Sequence, residues 1–573
     1  MDNKNMDEFV LRINVREKTG RKEAVPETWK HLGGRGLLAR ILLDEVPATC
    51  DPLGPYNKLI FAPGLLVGHR VSSFDRISIG AKSPLTKGVK ESNAGGTTGY
   101  HIVQLRIKSL IIEDQPVDSG FSILYLSKDM IRFDSGDELR GKGIYESAKL
   151  LTHRYGKKVA IALIGPGGEM QLGSAGICNL DKDLVPSRIA ARGGLGAVMG
   201  SKGLKAIIFD SEGCPKPPLT NPETFRETQQ LYTNTLLAHP QTKVYKEYGT
   251  SANARMVNAF GALPTRNFSS GEFEGMEKIS GEAMRKNLIA RGGDCKTSHA
   301  CMPGCVILSS NVYGDENGQS IVSPLEYESI GLLGPNLGVD NLDDIARMNE
   351  IINDIGLDTI DVGAALGVAA KAGVFKFGDG QKAIQLLEEI RIGTPLGRVL
   401  GNGAATAGQV FAIQQVPVVK GQAMSAYDPR AIKGTGVTYA TSPQGADHTC
   451  GLTLRAKIDH LKPEGQVEVS KSVQINMAGY DTIGACIFTV FCLSTIPFVI
   501  KDFLNAKYGW GVDENILQTL GRETLLMERE FNKRAGFTKA DDRLPEYMTL
   551  EPLSPHNTVF DVPGDEMDDI YKW

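Results

Sequence analysis

The first two hundred residues alternate between short apolar runs and turn-forming residues, a pattern that predicts β-strands. Residues 8–15, EFVLRINV, alternate apolar and polar positions as a half-buried strand does. Further compact apolar runs are KLIFAPGLL (58–66), SLIIEDQ (109–115), KVAIALIGPGGE (158–169) and GLKAIIFDSE (203–212). FSILYLSKDMIRFDS (121–135) predicts a hairpin with its turn near 127–129, and residues 142–155 predict one short helix. The first third is therefore expected to be rich in β-sheet.

After a proline-rich break at 211–222, apolar residues recur at helical spacing. Asn221 is a predicted N-cap with Pro222 at the first helical position. Amphipathic helices are predicted within 221–237, 343–358, 382–393 and 512–536. The pattern predicts an α+β protein with a β-rich domain over residues 1–211 and two mainly helical domains over 212–415 and 416–573.

Composition narrows the class of protein. Apolar residues make up 41% of the 573 and charged residues 23%, and the net charge is -4. Without a basic tract, a nucleic-acid partner is not expected. Nine cysteines in so long a chain do not form a disulfide scaffold, and the polar start lacks a signal-peptide core, so we expect a cytoplasmic protein. Residues 482–500 carry no charge, but Gly484 and Pro497 favour a buried core segment over a membrane span.

Three cysteines lie within eleven residues, and a fourth candidate lies far downstream. Cys295, Cys301 and Cys305 have C-x5-C-x3-C spacing, and Cys486 follows in DTIGAC. Zinc sites usually use C-x2-C pairs, which this chain lacks. Three ligands from one loop with a remote fourth suit an iron–sulfur cluster better. Zinc, unrelated core cysteines and His299 as an alternative ligand remain open from spacing alone.

Two short turn segments have the same pattern. NDIGLD (353–358) and DTIGAC (481–486) both place a carboxylate or amide before a glycine turn. Such turns present main-chain N–H groups that can hold polar heterocycles and phosphates. The alternative is a helix end capped by glycine. The 65 glycines, many in clusters, suggest a large cofactor wrapped by main chain or, alternatively, ordinary tight turns.

In order and spacing, a longer set of segments resembles the tungsten-containing aldehyde:ferredoxin oxidoreductase family. The resemblance runs from Gly33 to about Pro545. Besides the cysteine loop and the two turn segments, it rests on GGRGL, NKLIFAPG, DRISIGAKSPLT, ESNAGG, IGPGGE, RGGLGAVMGSKGLKAI, LPTRNF, PLEYES, AYDPR, YATS and LNAKYGW.

The resemblance implies both an architecture and a set of cofactors. A β-sheet domain would form the base under a bis-pterin unit, and two helical domains would close over it. Tungsten, or molybdenum, would be held by the dithiolenes of two pterins whose phosphates are bridged by magnesium. A [4Fe-4S] cluster would pass electrons to ferredoxin or a ferredoxin-like subunit.

The resemblance also assigns residues to these groups. The implied cluster ligands are Cys295, Cys301, Cys305 and Cys486. The implied pterin contacts are Asn353, Asp358 and Asp481. The residues implied near the pterin phosphates and magnesium are Arg76, Asn93 and Arg192, of which the arginines offer donor forks suited to phosphate. The implied active-site acid/base pair is Glu328 and His448, and Tyr327 could donate a hydrogen bond beside them.

The resemblance implies oxidation of a small aldehyde to a carboxylic acid. The reaction adds one oxygen from water and releases two protons and two electrons. A carboxylate and an imidazole can relay those protons near neutral pH. The same cofactors acting on a 2-hydroxy acid, reduction of a carboxylate, an electron-relay subunit and a zinc-stapled structural protein remain alternatives.

The sequence departs from the family pattern at three places. The family loop reads C-x2-C-x3-C, whereas here Ser298 stands three residues before Cys301 and Cys295 lies three residues further upstream. Either an insertion keeps Cys295 as a ligand, or the cluster has a serine ligand or three cysteines. Asn353 replaces a carboxylate. Residues 341–391 contain no histidine, so a bridging ion between subunits is not expected, while a homodimer or hetero-oligomer stays compatible.

Overall fold

The computed structural model describes residues 8–572. In this part of the chain the β-strands of the first third form two six-stranded sheets. The first sheet has the order β2-β1-β6-β3-β4-β5 and is antiparallel except between β1 and β6. Its strands are β1 (Phe9–Asn14), β2 (Thr19–Ala24), β3 (Leu59–Pro63), β4 (Ile77–Lys82), β5 (Val89–Ala94) and β6 (Ile107–Glu113).

The second sheet has the order β11-β10-β9-β12-β7-β8, and only β12 and β7 run parallel. Its strands are β7 (Ser122–Ser127), β8 (Ile131–Ser135), β9 (Ala160–Leu163), β10 (Ile177–Leu180), β11 (Pro186–Ala190) and β12 (Leu204–Asp210). The predicted hairpin is β7–β8. A shared apolar core joins the two sheets, since Leu59 and Phe61 of β3 pack with Ile207 and Phe209 of β12.

Five helices accompany the sheets: α1 (Gly34–Glu45), α2 (Thr98–Gln104), α3 (Ile144–Tyr155), α4 (Pro166–Glu169) and α5 (Leu195–Ser201). Of these, α3 was predicted and α1 was not. Leu37, Leu38, Ile41 and Leu42 form an apolar stripe on α1 that is fully buried against the first sheet and later helices. Burial of this apolar stripe stabilises α1, although the helix begins in a glycine-rich segment.

The remaining chain is mainly helical, which confirms the α+β fold class. Its helices are α6 (Pro222–Ala238), α7 (Pro240–Tyr248), α8 (Ala254–Ala259), α9 (Met276–Ile279), α10 (Gly281–Arg291), α11 (Tyr327–Leu333), α12 (Leu342–Ile355), α13 (Thr359–Lys371), α14 (Gly380–Ile392), α15 (Pro395–Gly401), α16 (Ala404–Phe411), α17 (Lys433–Thr441), α18 (Gln466–Ile483), α19 (Val490–Leu493), α20 (Phe498–Tyr508), α21 (Ile516–Arg534), α22 (Tyr547–Leu550) and α23 (Gly564–Asp568). Asn221 caps α6 as predicted, accepting a hydrogen bond from the Thr224 amide.

Two small antiparallel sheets lie among these helices: β13 (Lys296–His299) with β14 (Ser310–Gly314) and β15 (Ser320–Val322), and β16 (Val418–Val419) with β17 (Gln422–Ala423). The first of them carries part of the cysteine segment, which the sequence predicted as a turn-rich loop. The structure instead makes the four residues after Cys295 a β-strand.

Close backbone contacts hold the first sheet domain to the 481–486 turn. Gly34 has a φ of +43°, and a Cβ there would lie 2.0 Å from the Asp481 carbonyl oxygen. A Cβ at Gly64 would lie 2.2 Å from the Gly484 backbone. At these two positions a side chain would collide with neighbouring protein backbone. Glycine is therefore needed there for close packing of the protein and not for the approach of a cofactor.

The uncharged segment 482–500 is not one helix, because α18 ends at Ile483 and Gly484 takes a left-handed conformation. Across residues 8–572 no single helix has the length and apolar character to cross a bilayer. One pair, Gln466–Ile483 with Ile487–Leu493, meets that test jointly but is bent by 112°. The predicted lack of a signal peptide concerns in part residues 1–7, which lie outside the described residues.

Candidate functional site

The acid/base pair predicted from the sequence is brought together in the structure. Glu328 lies in the first turn of α11, and His448 begins a short 3-10 turn. The His448 Nε2 atom lies 3.4 Å from Glu328 Oε1, and both side chains are about 15% exposed (15% and 16%). Glu328 Oε2 accepts a hydrogen bond from the Ala426 amide, whereas Oε1 is buried without a hydrogen-bond partner. A buried carboxylate oxygen without a partner, next to an imidazole nitrogen, can accept a hydrogen bond from a bound ligand.

The orientation of His448 is fixed from its other side. Ser425 Oγ lies 2.7 Å from His448 Nδ1, so the ring turns Nε2 toward Glu328. The Tyr327 hydroxyl donates to the Ala426 carbonyl at 2.7 Å rather than to Glu328. The Tyr427 ring lies 5.8 Å from the His448 ring and 5.3 Å from the Tyr327 ring. Tyrosine rings therefore form an apolar wall beside the Glu328–His448 pair.

Arg192 is the centre of a buried charge network next to this pair. Its Nε donates to Asp358 Oδ2 at 3.2 Å, and its other nitrogens donate to Ser425 Oγ and to the Ala423 and Ala446 carbonyls. Two further carboxylates, Asp361 and Asp447, lie within 3.8 Å of the guanidinium. All three guanidinium nitrogens of Arg192 thus donate to protein groups, and Arg192 links Asp358 to the residues around His448.

Two carboxylates of the network, Asp361 and Asp447, have pKa values shifted in opposite directions. Burial, with the neighbouring Asp358, raises the pKa of Asp361 to about 7. Burial also acts to raise the pKa of Asp447, but Lys90 and Arg192 hold it well below the usual range. Lys90 Nζ lies 2.7 Å from Asp447 Oδ2. An ionised Asp447 is therefore fixed immediately before His448.

The two turn segments both end helices at left-handed glycines. In the first, α12 is capped by Gly356 with a φ of +83°, and Asp358 caps α13 by accepting from the Ile360 amide. Asp358 reaches Arg192, but Asn353 lies beside Tyr145, and no described contact joins it to the other predicted residues. Of this segment, the structure brings Asp358 and not Asn353 to the network.

Asp481, Arg76 and Asn93 form a second polar group. The Arg76 Nε atom donates to Asn93 Oδ1. Asp481 Oδ2 lies 3.3 Å from Nη1 of Arg35, whose Nε contacts Glu528 at 2.8 Å. Burial, followed by the charge of Glu91, raises the pKa of Asp481 to about 8. Arg35 and Glu528 had no signal in the sequence that separates them from an ordinary surface pair.

Three of the four predicted cluster cysteines lie close together, and two of them contact Ser73 of the first domain. Ser73 Oγ donates to Cys305 Sγ at 3.3 Å, and the Cys486 amide donates to the Ser73 carbonyl at 2.9 Å. The neighbouring thiols of Cys301 and Cys305 act on each other, which lowers the pKa of Cys305 to about 6 and raises that of Cys301. A Cβ at Gly95 would lie 3.5 Å from Cys301 Sγ and 3.7 Å from Arg76 Nη1. We call Cys301, Cys305 and Cys486 the thiol group.

Arg188, which sequence reasoning missed, lies beside the thiol group. Its charge acts on the pKa of Cys301, and its Nη1 donates to Ser310 Oγ at 2.9 Å. Its Nε and Nη2 atoms are buried without hydrogen-bond partners. Buried donors without partners beside thiols fit an anionic group bound there. His299, the alternative ligand, instead pairs with Asp183 at 2.8 Å.

Cys295 lies apart from the thiol group. A Cβ at Gly314 would be only 2.6 Å from Cys295 Sγ, which places the thiol at the end of β14. His299 pairs with Ser310 at the other end of that strand. Because a strand rises about 3.3 Å per residue, the two ends are separated by roughly 13 Å.

The residues present also fit a pterin-held metal. Throughout residues 8–572 no three His, Cys, Asp or Glu side chains lie close enough to hold one metal ion directly. A metal held by dithiolenes needs no such ligands. Asp361 Oδ2 and Gln422 Oε1 are buried acceptors without partners next to the Arg192 network. Such acceptors suit the N–H donors of a heterocycle.

Comparison with known proteins identifies the family of the chain. The chain matches the profile of the aldehyde ferredoxin oxidoreductase N-terminal domain over residues 10–211 and that of domains 2 and 3 over residues 227–571. It is 31% identical to a tungsten-containing aldehyde ferredoxin oxidoreductase from Thermococcus kodakarensis, over 95% of this chain and 91% of the relative. It is also 31% identical to the protein of that name from Pyrococcus furiosus, over 91% and 88% of the two chains.

One further relative and one solved structure have different names. The WOR-like subunit of an aliphatic sulfonate oxidoreductase from Pyrococcus furiosus is 28% identical over 94% of this chain and 89% of the relative. A solved chain of the active-site complex BamBC of benzoyl coenzyme A reductase, with 1,5-dienoyl-CoA, has a TM-score of 0.78 at 19% identity, covering 98% and 93% of the two chains. The latter likeness shows a shared fold. On the match of both domain profiles and on identity over nearly its whole length, the chain belongs to the aldehyde ferredoxin oxidoreductase family.

Proposed function

We propose that this protein oxidises small aldehydes to carboxylic acids and passes the electrons to ferredoxin or a ferredoxin-like subunit. The observation that carries the proposal is the Glu328–His448 pair, with its unpartnered Glu328 oxygen 3.4 Å from His448 Nε2. Family membership makes the protein an oxidoreductase of tungsten-pterin type, and the pair supplies the proton chemistry that aldehyde oxidation requires.

We assign the cofactor-binding roles from the family resemblance. A tungsten or molybdenum bis-pterin, when bound, supplies the two-electron acceptor, and an iron–sulfur cluster supplies the one-electron exit. Asp358 and Asp481 would hydrogen-bond the pterins, and Asn353 would do so only from its more distant position. The residues proposed near the phosphates and bridging magnesium are Arg76, Asn93 and Arg192. The thiol group would hold the cluster.

Glu328 and His448 would act together in proton transfer. Water adds its oxygen to the aldehyde carbon, and the reaction RCHO + H₂O → RCOOH releases two protons and two electrons. Glu328 Oε1 could accept a proton from water, because it accepts no hydrogen bond from another protein group. His448 Nε2 can exchange that proton, while Ser425 and Asp447 hold the ring in place. A buried acid/base pair in which one carboxylate oxygen has no hydrogen-bond partner is not expected of an electron-relay subunit. We therefore favour catalysis over electron relay.

The test is replacement of His448 by alanine in anaerobically purified protein. We expect turnover in an aldehyde-dependent viologen assay to fall by roughly 10²–10⁴-fold, the usual contribution of general acid–base catalysis. Tungsten and iron contents should stay at the wild-type level. His556, an exposed histidine, provides the control, and His556→Ala should keep full turnover. Full activity of His448→Ala would refute the assigned role, and loss of metal would make His448 a structural residue.

A substrate panel separates aldehyde oxidation from the alternatives. Wild-type protein is assayed with small aldehydes, a 2-hydroxy acid and an aliphatic sulfonate as electron donors, and with a carboxylate plus reduced viologen. We expect aldehydes to give the highest kcat/KM. A higher value for another compound would keep the cofactors and acid/base pair but replace the substrate.

A further inference from the structure

We propose that the iron–sulfur cluster of this protein is held by three cysteine thiolates, Cys301, Cys305 and Cys486, and that its fourth iron has no cysteine ligand. The inference rests on the proposed function, in which a cluster occupies the thiol group. It departs from the expectation, drawn from the sequence, that Cys295 completes a set of four.

The first step concerns how the three thiols are held. Cys305 and Cys486 are both attached to Ser73, one through the side chain and one through the backbone. The turn from Met302 to Cys305 is closed by a hydrogen bond from the Cys305 amide to the Met302 carbonyl at 3.4 Å, and the Val306 amide donates to Ser72 Oγ at 3.1 Å. The loop that carries Cys301 and Cys305 is therefore docked on the first domain, next to the turn that carries Cys486.

The second step concerns Cys295, which is separated from that loop by a paired strand. Lys296 pairs with Val312 and His299 pairs with Ser310, so β13 runs along β14 away from Cys295. The Cys295 amide donates to the Gly292 carbonyl at 3.0 Å, which holds Cys295 next to the end of α10. Bringing Cys295 to the thiol group would require this ladder to be broken.

Arg291 strengthens that separation, because its Nη1 donates to the Gly314 carbonyl at 2.7 Å and contacts Asp343 at the same distance. The strand end against which Cys295 lies is thus tied to α12. Cys295 itself packs against the large helical core, whereas Cys305 packs against the core that contains α1 and α18. The two side chains therefore pack against different apolar cores.

Cys492, which lies near Cys486 in the sequence, does not replace Cys295 as a fourth ligand. Cys492 lies on α19, six residues after Cys486, and is fully buried in an apolar core. Burial, followed by the charge of Cys492, raises the pKa values of Tyr232 and Tyr480, so the Cys492 thiol lies among aromatic core residues.

The unpartnered donors of Arg188 give a second, independent indication of an anionic group beside the thiol group. The Arg188 charge acts on Cys301, as well as on Cys178 and Glu326, and the sulfides and thiolates of a cluster held by Cys301 could accept hydrogen bonds from these donors. In the described part of the chain, Cys295 has no such buried unpartnered donor near it. The binding chemistry is concentrated where the three thiols are.

An iron without a thiolate ligand should be the labile one. Loss of that iron as Fe²⁺, with one electron passed to ferricyanide, converts a [4Fe-4S]²⁺ cluster to [3Fe-4S]⁺. We therefore expect one molar equivalent of ferricyanide to release one iron per cluster from the anaerobic holoenzyme and to produce the electron paramagnetic resonance signal of a three-iron cluster. A cluster that keeps all its iron and gives no such signal would overturn the inference.

Variants test the ligand set without using activity. Iron and acid-labile sulfide are measured per chain in anaerobically purified Cys295→Ala, Cys295→Ser, Cys492→Ala and Cys301→Ala. We expect the first three to keep the wild-type content and visible absorbance, and Cys301→Ala to lose most of both. A loss of iron in both folded Cys295 variants, or in folded Cys492→Ala, with unchanged far-ultraviolet circular dichroism, would overturn the inference. Wild-type protein without iron would instead refute the cluster in the proposed function.

Discussion

Replacing Ser425 by alanine tests whether the hydroxyl holds His448 in its productive orientation. The change removes one hydrogen bond of 2.7 Å to His448 Nδ1. It also removes one acceptor of Arg192 Nη1, which keeps the Ala446 carbonyl at 2.8 Å. The buried charge of Arg192 therefore stays compensated, and the perturbation falls mainly on the imidazole.

The magnitude follows from one hydrogen bond. A typical intramolecular hydrogen bond contributes about 0.5–1.5 kcal/mol, and about 1.4 kcal/mol corresponds to a factor of ten in rate. If this energy fixes the ring in the transition state, kcat of Ser425→Ala should fall by about three- to tenfold. That loss is smaller than the roughly 10²–10⁴-fold loss expected when general acid–base catalysis is removed altogether. KM should change little, because Ser425 orients His448 and does not enter the proposed substrate position.

The assay is anaerobic aldehyde-dependent viologen reduction, with tungsten and iron measured on the same samples. Ser201→Ala is the matched control, because Ser201 is also buried and donates one hydrogen bond of 2.8 Å, to the Val198 carbonyl, away from the site. We expect the control to keep wild-type kcat. Wild-type kcat in Ser425→Ala would refute the positioning argument, and loss of tungsten would assign Ser425 to cofactor retention instead.

Two further changes test the network and the close packing around it. Asp361 has a pKa raised to about 7, so the folded state binds a proton that the unfolded state has released, and the unfolding free energy should decline as pH rises toward 7. In the cofactor-free protein, Asp361→Asn should remove a decline on the order of 3 kcal/mol between about pH 5 and about pH 8, measured by urea unfolding; an unchanged slope would contradict the assignment. Gly34→Ala should lower the unfolding free energy by about 2–5 kcal/mol, through its positive φ and its contact with the Asp481 carbonyl. Gly213→Ala, with a φ of +73° and open space around its Cβ, should lose only the backbone part, about 1–2 kcal/mol, and equal losses would refute the contact.

Local patterns predicted much of the fold, because they act over a few residues. The hairpin β7–β8, the helix α3 and the Asn221 cap all follow from alternation, periodicity or capping chemistry. The helix α1 was missed because its glycine-rich start suggested a cofactor turn, while its stability comes from distant packing. Local spacing does not encode such packing.

The candidate site shows the same division. Glu328 and His448 could be selected by resemblance, and the structure brings them within 3.4 Å. Cys295 illustrates the limit, because its distance along the chain from Cys301 does not reveal that a paired strand occupies the interval. Arg188 and Ser425 had no signal of their own, since a single arginine or serine gains meaning only from the side chains placed beside it.

Arg192 connects the assembly of the domains to the geometry of the acid/base pair. It comes from the sheet region, yet it contacts Asp358 at the start of α13 and Ser425 beside His448. Removing one member of a buried charge pair typically costs about 3–5 kcal/mol, so the two helical regions are strongly favoured in the position that satisfies this guanidinium. The same contact that holds them also supports the hydroxyl that orients His448. The position of α13 against the sheet region and the orientation of the His448 ring, through Ser425, therefore both involve the same buried cation.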